Sequence, residues 1–187
     1  MKRARVLAVL LMSGSLVSGR AAGGEAPLSG FKTDLLASMD DAAKKLVELA
    51  QAMPADKYGW RPAPGVRSVS EVYMHVAAGN YLLPSFFGVA RPEGMDRTLE
   101  QKVTDKTQVV EALQKSIAHA RAAVQNFPDA DLDKKAKFFG RETTERWLLI
   151  QLNSHMHEHL GQSIAYARVN GVAPPWSEGP PPKSTSN

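Results

Sequence analysis

The sequence predicts an all-α fold, a four-helix bundle, on three observations. Apolar residues recur at helical spacing in four long runs, signals for strands are weak, and turn-forming residues separate the runs. The 187-residue chain is long enough for one domain with a substantial core. We expect a signal peptide over residues 1–22, the helical domain over residues 28–175, and a disordered Pro/Ser-rich tail over residues 176–187.

The leader has the pattern of a secretory signal peptide. Residues 1–5 are basic, residues 6–17 are apolar, and Gly19-Arg20-Ala21 offers small residues beside a cleavage position. The alternative, a short membrane anchor, is less favoured because the apolar run is short and small polar residues interrupt it. The sequence therefore predicts an exported protein, periplasmic or extracellular, with no stable membrane anchor after cleavage.

Charge argues against nucleic acid as a partner. The chain carries 23 Lys and Arg against 19 Asp and Glu, and four of the basic residues precede a cut after Ala21. The mature chain is therefore close to neutral and lacks the basic excess of nucleic-acid-binding domains. Because the chain has no cysteine, packing must supply the stability that disulfides often supply in exported proteins.

The first two helices are predicted on either side of a loop rich in Pro and Gly. The first spans residues 31–53 and stops at Pro54. The second starts at Ser68 or Ser70, where Ser68 and Glu71 fit a capping box, and continues to about Phe87. Pro84 either ends this helix early or kinks it.

The third and fourth helices are predicted over residues 107–126 and 143–170. The long polar connection over residues 88–106 leaves room for a crossover between the second and third helices. Residues 127–142 are expected to be irregular or to hold a short helix.

The candidate site is a set of three histidines. His155 and His159 lie four residues apart on the fourth helix, so they share one face, and that face continues into an apolar stripe. His75 lies on the apolar stripe of the second helix, where Gly79 permits close approach of a neighbouring helix. A lone histidine on such a stripe is more often a core residue, but three at matching depth favour a metal site with open positions. His157 and His119 lie off these stripes and are expected at the surface.

Other catalytic schemes find no support in the sequence. His157-Glu158-His159 lacks the second histidine that a zinc-peptidase motif requires after its glutamate. There is no cysteine nucleophile, no Gly-x-Ser-x-Gly elbow and no phosphate-binding Gly-rich loop.

Three segments together resemble the DinB-like (DinB/YfiT) superfamily of metal-binding four-helix-bundle proteins. They are the loop containing Tyr58-Gly-Trp-Arg-Pro62, the helix start Ser68-Val-Ser-Glu-Val-Tyr-Met-His75, and the final motif His155-x-x-x-His159-x-Gly-Gln162. The resemblance covers roughly residues 31–170. It implies that His75, His155 and His159 bind one divalent metal, zinc, nickel, manganese or iron, with water in the remaining positions. Leu160 departs from the family, which often has a basic residue there.

Two functions stay open at this stage. The first is an enzyme, a metal-dependent transferase (thiol-dependent in some relatives) or hydrolase of a small-molecule substrate that approaches near Trp60 or Tyr81, although ordinary packing is the favoured interpretation of both aromatics. The second is a non-catalytic bundle that binds a metal or a small ligand. A structural site would need a fourth protein ligand, for which Glu71 and Gln162 are weak candidates. The resemblance also makes a homodimer a reasonable expectation.

Overall fold

The computed structural model describes residues 28–95 and 98–177, and its architecture is the predicted all-α bundle. Four long helices form it: α1 (Gly30–Ala52), α2 (Val69–Leu82), α4 (Lys106–Gln125) and α5 (Glu145–Val169). A short helix, α3 (Leu99–Lys102), lies in the connection between α2 and α4. The predicted signal peptide lies outside the described residues.

Local sequence explains where α2 begins and ends. Ser68 caps its N-terminus, with the Ser68 hydroxyl accepting from the Glu71 amide and the Glu71 carboxylate accepting from the Ser68 amide, so the predicted capping box is confirmed. The helix tightens into a 3-10 turn at Leu83–Phe87 that contains Pro84, and Gly88 closes this turn with a positive φ of 89°.

The long helices run up, down, down and up. Both α1 and α2 pack against α4 and α5, which places α1 diagonally opposite α2. The contacts between α2 and α4 advance in the same direction along both helices, from Asn80 with Ser116 to Phe87 with Phe127 in the segments that directly follow α2 and α4. The two helices are therefore parallel, and the connection between them returns along the bundle, as the predicted crossover requires.

The core fills the space between the four helices. Leu46, Leu113, Leu149, Leu152 and Met156 are among its fully buried side chains, contributed by α1, α4 and α5. Burial of each such side chain stabilises the fold by roughly 1.5–3 kcal/mol. None of the helices in the described ranges is long and apolar enough to cross a bilayer.

The segment after α4 differs from the prediction. Instead of irregular chain or a short helix, it contains a β-hairpin of β1 (Lys135–Phe138) and β2 (Arg141–Thr144). Phe138 pairs with Arg141 across a two-residue loop, Phe139-Gly140, in which both residues have positive φ (46° and 84°). Two positive φ angles are typical of a type I′ turn, but its usual Asn-Gly or Asp-Gly signal is missing here.

The described chain continues two residues past the domain boundary predicted before Trp176. Pro175–Ser177 forms a 3-10 turn, and Trp176 packs, half-buried, against the core. Its apolar ring outweighs the Pro/Ser composition of the surrounding segment.

Candidate metal centre

The three predicted histidines lie together between α2 and α5. One nitrogen from each of His75, His155 and His159 falls within 4.8 Å of the other two. The Nε2 atoms of His75 and His155 are 3.3 Å apart, and the His159 ring centroid is 4.6 Å from each of the other ring centroids. Helical spacing aligns His155 with His159, and packing of α2 against α5 adds His75.

Two of the rings are oriented by hydrogen bonds on the side away from the cluster. Nδ1 of His75 is 2.6 Å from Oε1 of Glu100, and Nδ1 of His159 is 2.9 Å from Oε1 of Gln162. An ionised carboxylate and an amide oxygen only accept, so each Nδ1 carries the proton and donates. The Nε2 lone pairs of both rings are consequently free to face the cluster.

Further contacts hold the two orienting groups. Nε of Arg67 donates to Oε2 of Glu100 at 2.9 Å. Nε2 of Gln162 donates to the Tyr166 hydroxyl at 3.2 Å, and that hydroxyl donates to the Arg67 carbonyl at 3.1 Å. His75 and His159 are therefore linked through one continuous network that fixes their ring planes.

The third ring, His155, rests against Gly79 of α2. A Cβ at Gly79 would lie 2.3 Å from Cε1 of His155, too close for any real contact, so a glycine is needed here. Nδ1 of His155 is buried without a hydrogen-bond partner among the described residues. This nitrogen is the unsatisfied polar atom of the site.

Burial keeps His155 and His75 uncharged. It lowers the pKa of His155 to about 3, and the adjacent His159 and His75 add to this effect. Burial also lowers the pKa of His75, although Glu100 opposes that shift. Burial would by itself raise the pKa of Glu100, but the hydrogen bonds from His75 and Arg67 outweigh it and hold that pKa below its usual range. The site thus presents His75 and His155 as neutral imidazoles, the form that binds metals, beside the ionised carboxylate of Glu100.

The donor set fits a divalent transition metal. An ion with nitrogen ligands at about 2.0–2.1 Å in tetrahedral geometry holds those nitrogens roughly 3.3 Å apart, close to the 3.3 Å between His75 and His155. Within the described residues, no Asp, Glu or Cys joins the three histidines at this range. Three protein ligands leave positions open, as in catalytic rather than structural sites.

A cavity of about 160 Å³ opens directly onto His75 and His155. Its other walls come from α2, the connection after it, and the β-hairpin. The two aromatic residues considered for the substrate approach do not line it: Trp60 packs edge-on against Tyr166, and Tyr81 packs against His119. Both aromatic rings therefore serve in packing, which was the favoured interpretation.

The other predictions around the site have mixed outcomes. His157 is exposed, as expected, but His119 is half-buried against Tyr81, with its Nε2 inaccessible, so the surface prediction for His119 was wrong. His119 lies on the side of α4 that packs against α2, where it meets Tyr81. Glu71 is engaged at the helix cap, and Leu160 is buried in the core.

The sequence did not indicate Glu100 as a site residue. It lies on the short helix α3, in the polar connection between α2 and α4. Its contact with His75 spans 25 residues of chain. No periodic signal surrounds it, since α3 has only four residues.

Fold and site together define a helical bundle with a three-histidine centre open to a cavity. The chain matches the DinB superfamily over residues 38–163, about two thirds of its length, and it belongs to that family.

The chain is also similar to known proteins in sequence and in fold. The chain is 25% identical over 125 residues to the uncharacterised protein YjoA of Bacillus subtilis, an alignment that covers 66% of this chain and 80% of YjoA. It superposes on the crystal structure of a DinB-like protein from Bacillus cereus with a TM-score of 0.68 at 20% identity, covering 76% of this chain and 95% of the other. A conserved protein from Enterococcus faecalis gives a TM-score of 0.63 at 16% identity, covering 74% and 95%. The structural likenesses establish the fold alone.

Proposed function

We propose that the protein binds one divalent metal ion through Nε2 of His75, His155 and His159 and uses it in a transferase or hydrolase reaction on a small molecule. The observation that carries this proposal is the convergence of three imidazoles, two of them oriented by hydrogen bonds on their far side. Such orientation by outer groups is typical of metal-binding histidines.

The ligand chemistry narrows the choice of metal. Imidazole suits zinc, nickel and iron, whereas manganese favours carboxylate, carbonyl and water oxygens. Among the four metals that the family resemblance implies, an all-nitrogen protein set therefore favours zinc, nickel or iron over manganese. A bound ion of this kind polarises a substrate oxygen or lowers the pKa of a coordinated water or thiol.

The residues of the chain have separate tasks in this proposal. Glu100 and Gln162 keep the His75 and His159 rings in the productive tautomer. Gly79 has no Cβ and so leaves the space beside α2 that the His155 ring occupies. The cavity on the open side supports a reactive centre rather than a purely structural one, because it brings a small molecule within reach of the ligands.

We also propose that the mature protein acts after export, on the strength of the basic, apolar and small-residue pattern of residues 1–22. Expression of the full chain in a Gram-negative host should yield periplasmic protein whose new N-terminus lies within residues 19–24. Cytoplasmic protein that retains Met1-Lys2 would contradict export without affecting the metal proposal.

Metal analysis of the purified protein tests the central claim. We expect about one equivalent of a divalent transition metal per chain, and His155→Ala should lose most of it. His157→Ala is the matched control, because His157 lies on the same helix but is exposed and donates a hydrogen bond to the Asn153 carbonyl. Equal metal content in the wild type and in both variants would overturn the site.

A further inference from the structure

The cavity beside the three histidines is lined differently at its floor and at its opening. Buried Ala78 and Gly79 lie at the floor with His155, while exposed Arg91 and Phe139 lie toward solvent. Its volume of about 160 Å³ is close to that of a cavity that holds a single benzene ring.

Its apolar wall is built by the β-hairpin and the end of α2. Phe138 and Phe139 from the hairpin line the cavity together with Leu82 and Leu83. Phe138 also packs against Trp147 and Phe86 with ring centroids 5.2 and 5.0 Å apart, which makes this wall rigid.

Phe139 is the unusual member of this wall. The residue is 68% exposed, and its φ of 46° lies in the left-handed region, which large side chains rarely adopt. One side of its ring packs against Phe86 and Phe138, with ring centroids 4.9 and 4.6 Å apart, but most of the residue stays exposed, and Asn or Asp before Gly140 would suit the turn better. An exposed aromatic ring held in a strained turn at the opening of a cavity indicates a contact with a ligand.

Arg91 is the basic side chain of the cavity lining. Its side chain is exposed, lines the same cavity, and forms no ion pair with any other residue in the described part of the chain. A guanidinium group binds a carboxylate through two parallel hydrogen bonds. The acid that shares the cavity, Glu100, is already engaged by His75 and Arg67, so it leaves the charge of Arg91 available.

We propose that this cavity binds a small aromatic carboxylic acid of about one ring, with the ring between the hairpin and α2 and the carboxylate on Arg91. The ligand then extends from the opening toward His75 and His155. That it is the substrate rests on the proposed metal-dependent function, whereas its binding rests on the cavity alone.

Calorimetric titration of the purified protein with three probes tests this specificity. Benzoate should bind at least tenfold more tightly than acetate, which lacks the ring, and than benzamide, which lacks the charge. Acetate binding as tightly as benzoate would overturn the ring pocket. Benzamide binding as tightly would overturn the role of Arg91, and no saturation by benzoate would overturn the whole proposal.

Two variants locate the binding. Arg91→Gln should weaken benzoate binding about tenfold or more and leave benzamide binding unchanged. Phe139→Asn should weaken both about two- to tenfold while suiting the turn, so a loss of binding without a loss of folding separates recognition from structure. Lys137→Gln is the control, because Lys137 is an exposed cation of the same hairpin that does not line the cavity.

Repeating the titrations after chelation separates this proposal from that of the metal centre. Benzoate binding that remains sensitive to Arg91→Gln with and without added zinc supports the cavity site, even if the protein proved to bind no metal. Benzoate binding that requires zinc and ignores Arg91→Gln would mean that the carboxylate binds the ion directly, and would overturn the proposed orientation.

Discussion

Gly79 shows how a single side chain, or its absence, decides whether the three histidines can meet. The His155 ring occupies the space where any other residue at position 79 would place its Cβ. Glycine inside a helix is unfavourable by roughly 0.5–1 kcal/mol relative to alanine. Its presence in α2 therefore has a local cost that the geometry of the site explains.

We expect Gly79→Ala to displace the His155 ring and lower metal occupancy severalfold while the bundle still folds. The reason is that the new methyl group would lie 2.3 Å from Cε1 of His155, and the ring must rotate away. Metal analysis with circular dichroism measures both effects. Gly161→Ala is the matched control: this helical glycine of α5 has open space around it, so the substitution should retain the metal. Full occupancy in Gly79→Ala would show that the His155 ring is not a ligand in this orientation.

Glu100 acts on the site through another residue. Its carboxylate accepts from Nδ1 of His75, which fixes the tautomer and makes Nε2 a better ligand. We expect Glu100→Ala to weaken metal affinity about 10- to 100-fold, and Glu100→Gln to recover part of the loss because its amide oxygen still accepts. Competition with a chelating dye gives the affinity.

The control for this experiment is Gln101→Ala, which changes the neighbouring exposed residue of α3. Equal affinities for Glu100→Ala and Gln101→Ala would contradict the orienting role of Glu100.

At the scale of the helices, the N-terminal cap of α2 fixes where this helix begins. Only 14 residues long, α2 carries His75 at its middle and Gly79 one turn further on. The capping box at Ser68 satisfies amides that the first turn would otherwise leave free. The cap thereby sets where α2 begins and which residues face α5.

We expect Ser68→Ala to lower the free energy of unfolding by about 1 kcal/mol, since an N-cap hydroxyl is lost. Urea denaturation measures the change. Ser154→Ala offers a comparison, because Ser154 is exposed in the middle of α5 and should change stability much less. Equal effects of the two substitutions would mean that the cap contributes nothing.

The hairpin of β1 and β2 forms part of the wall of the cavity beside the three histidines. It brings two phenylalanines to the cavity wall, and its turn holds Phe139 in a conformation that costs roughly 1–2 kcal/mol. The alternation along Lys135–Phe138 is too short to predict a strand, and Phe139-Gly140 is not a preferred turn pair. This element was therefore invisible to periodicity.

The metal centre joins α2 to α5, so a bound metal ion should stabilise the folded state of the whole domain. Any ligand that binds only the folded state raises the free energy of unfolding. Adding the cognate metal at about 100 times its Kd should raise that free energy by about 2.7 kcal/mol, and EDTA should reverse the change. Thermal denaturation at fixed protein concentration measures the shift. His155→Ala should show no such shift, and a similar shift in that variant would place the stabilising metal elsewhere.

The sequence allowed the four long helices and their approximate bounds to be predicted, because amphipathic spacing, proline stops and caps are local properties. It also predicted the shared face of His155 and His159, because four residues on a helix always return to nearly the same side. The inward position of His75 followed from the apolar stripe around it.

Only the tertiary structure decided which distant groups complete the site. The packing of α2 beside α4 half-buried His119 against Tyr81, and the crossover carried Glu100 to His75. The hairpin closed one wall of the cavity with Phe138 and Phe139. These contacts join residues far apart in the chain, and their energies depend on how helices and loops pack together rather than on any pattern within a single segment. A helix determines its own faces, whereas packing between helices determines what each face meets.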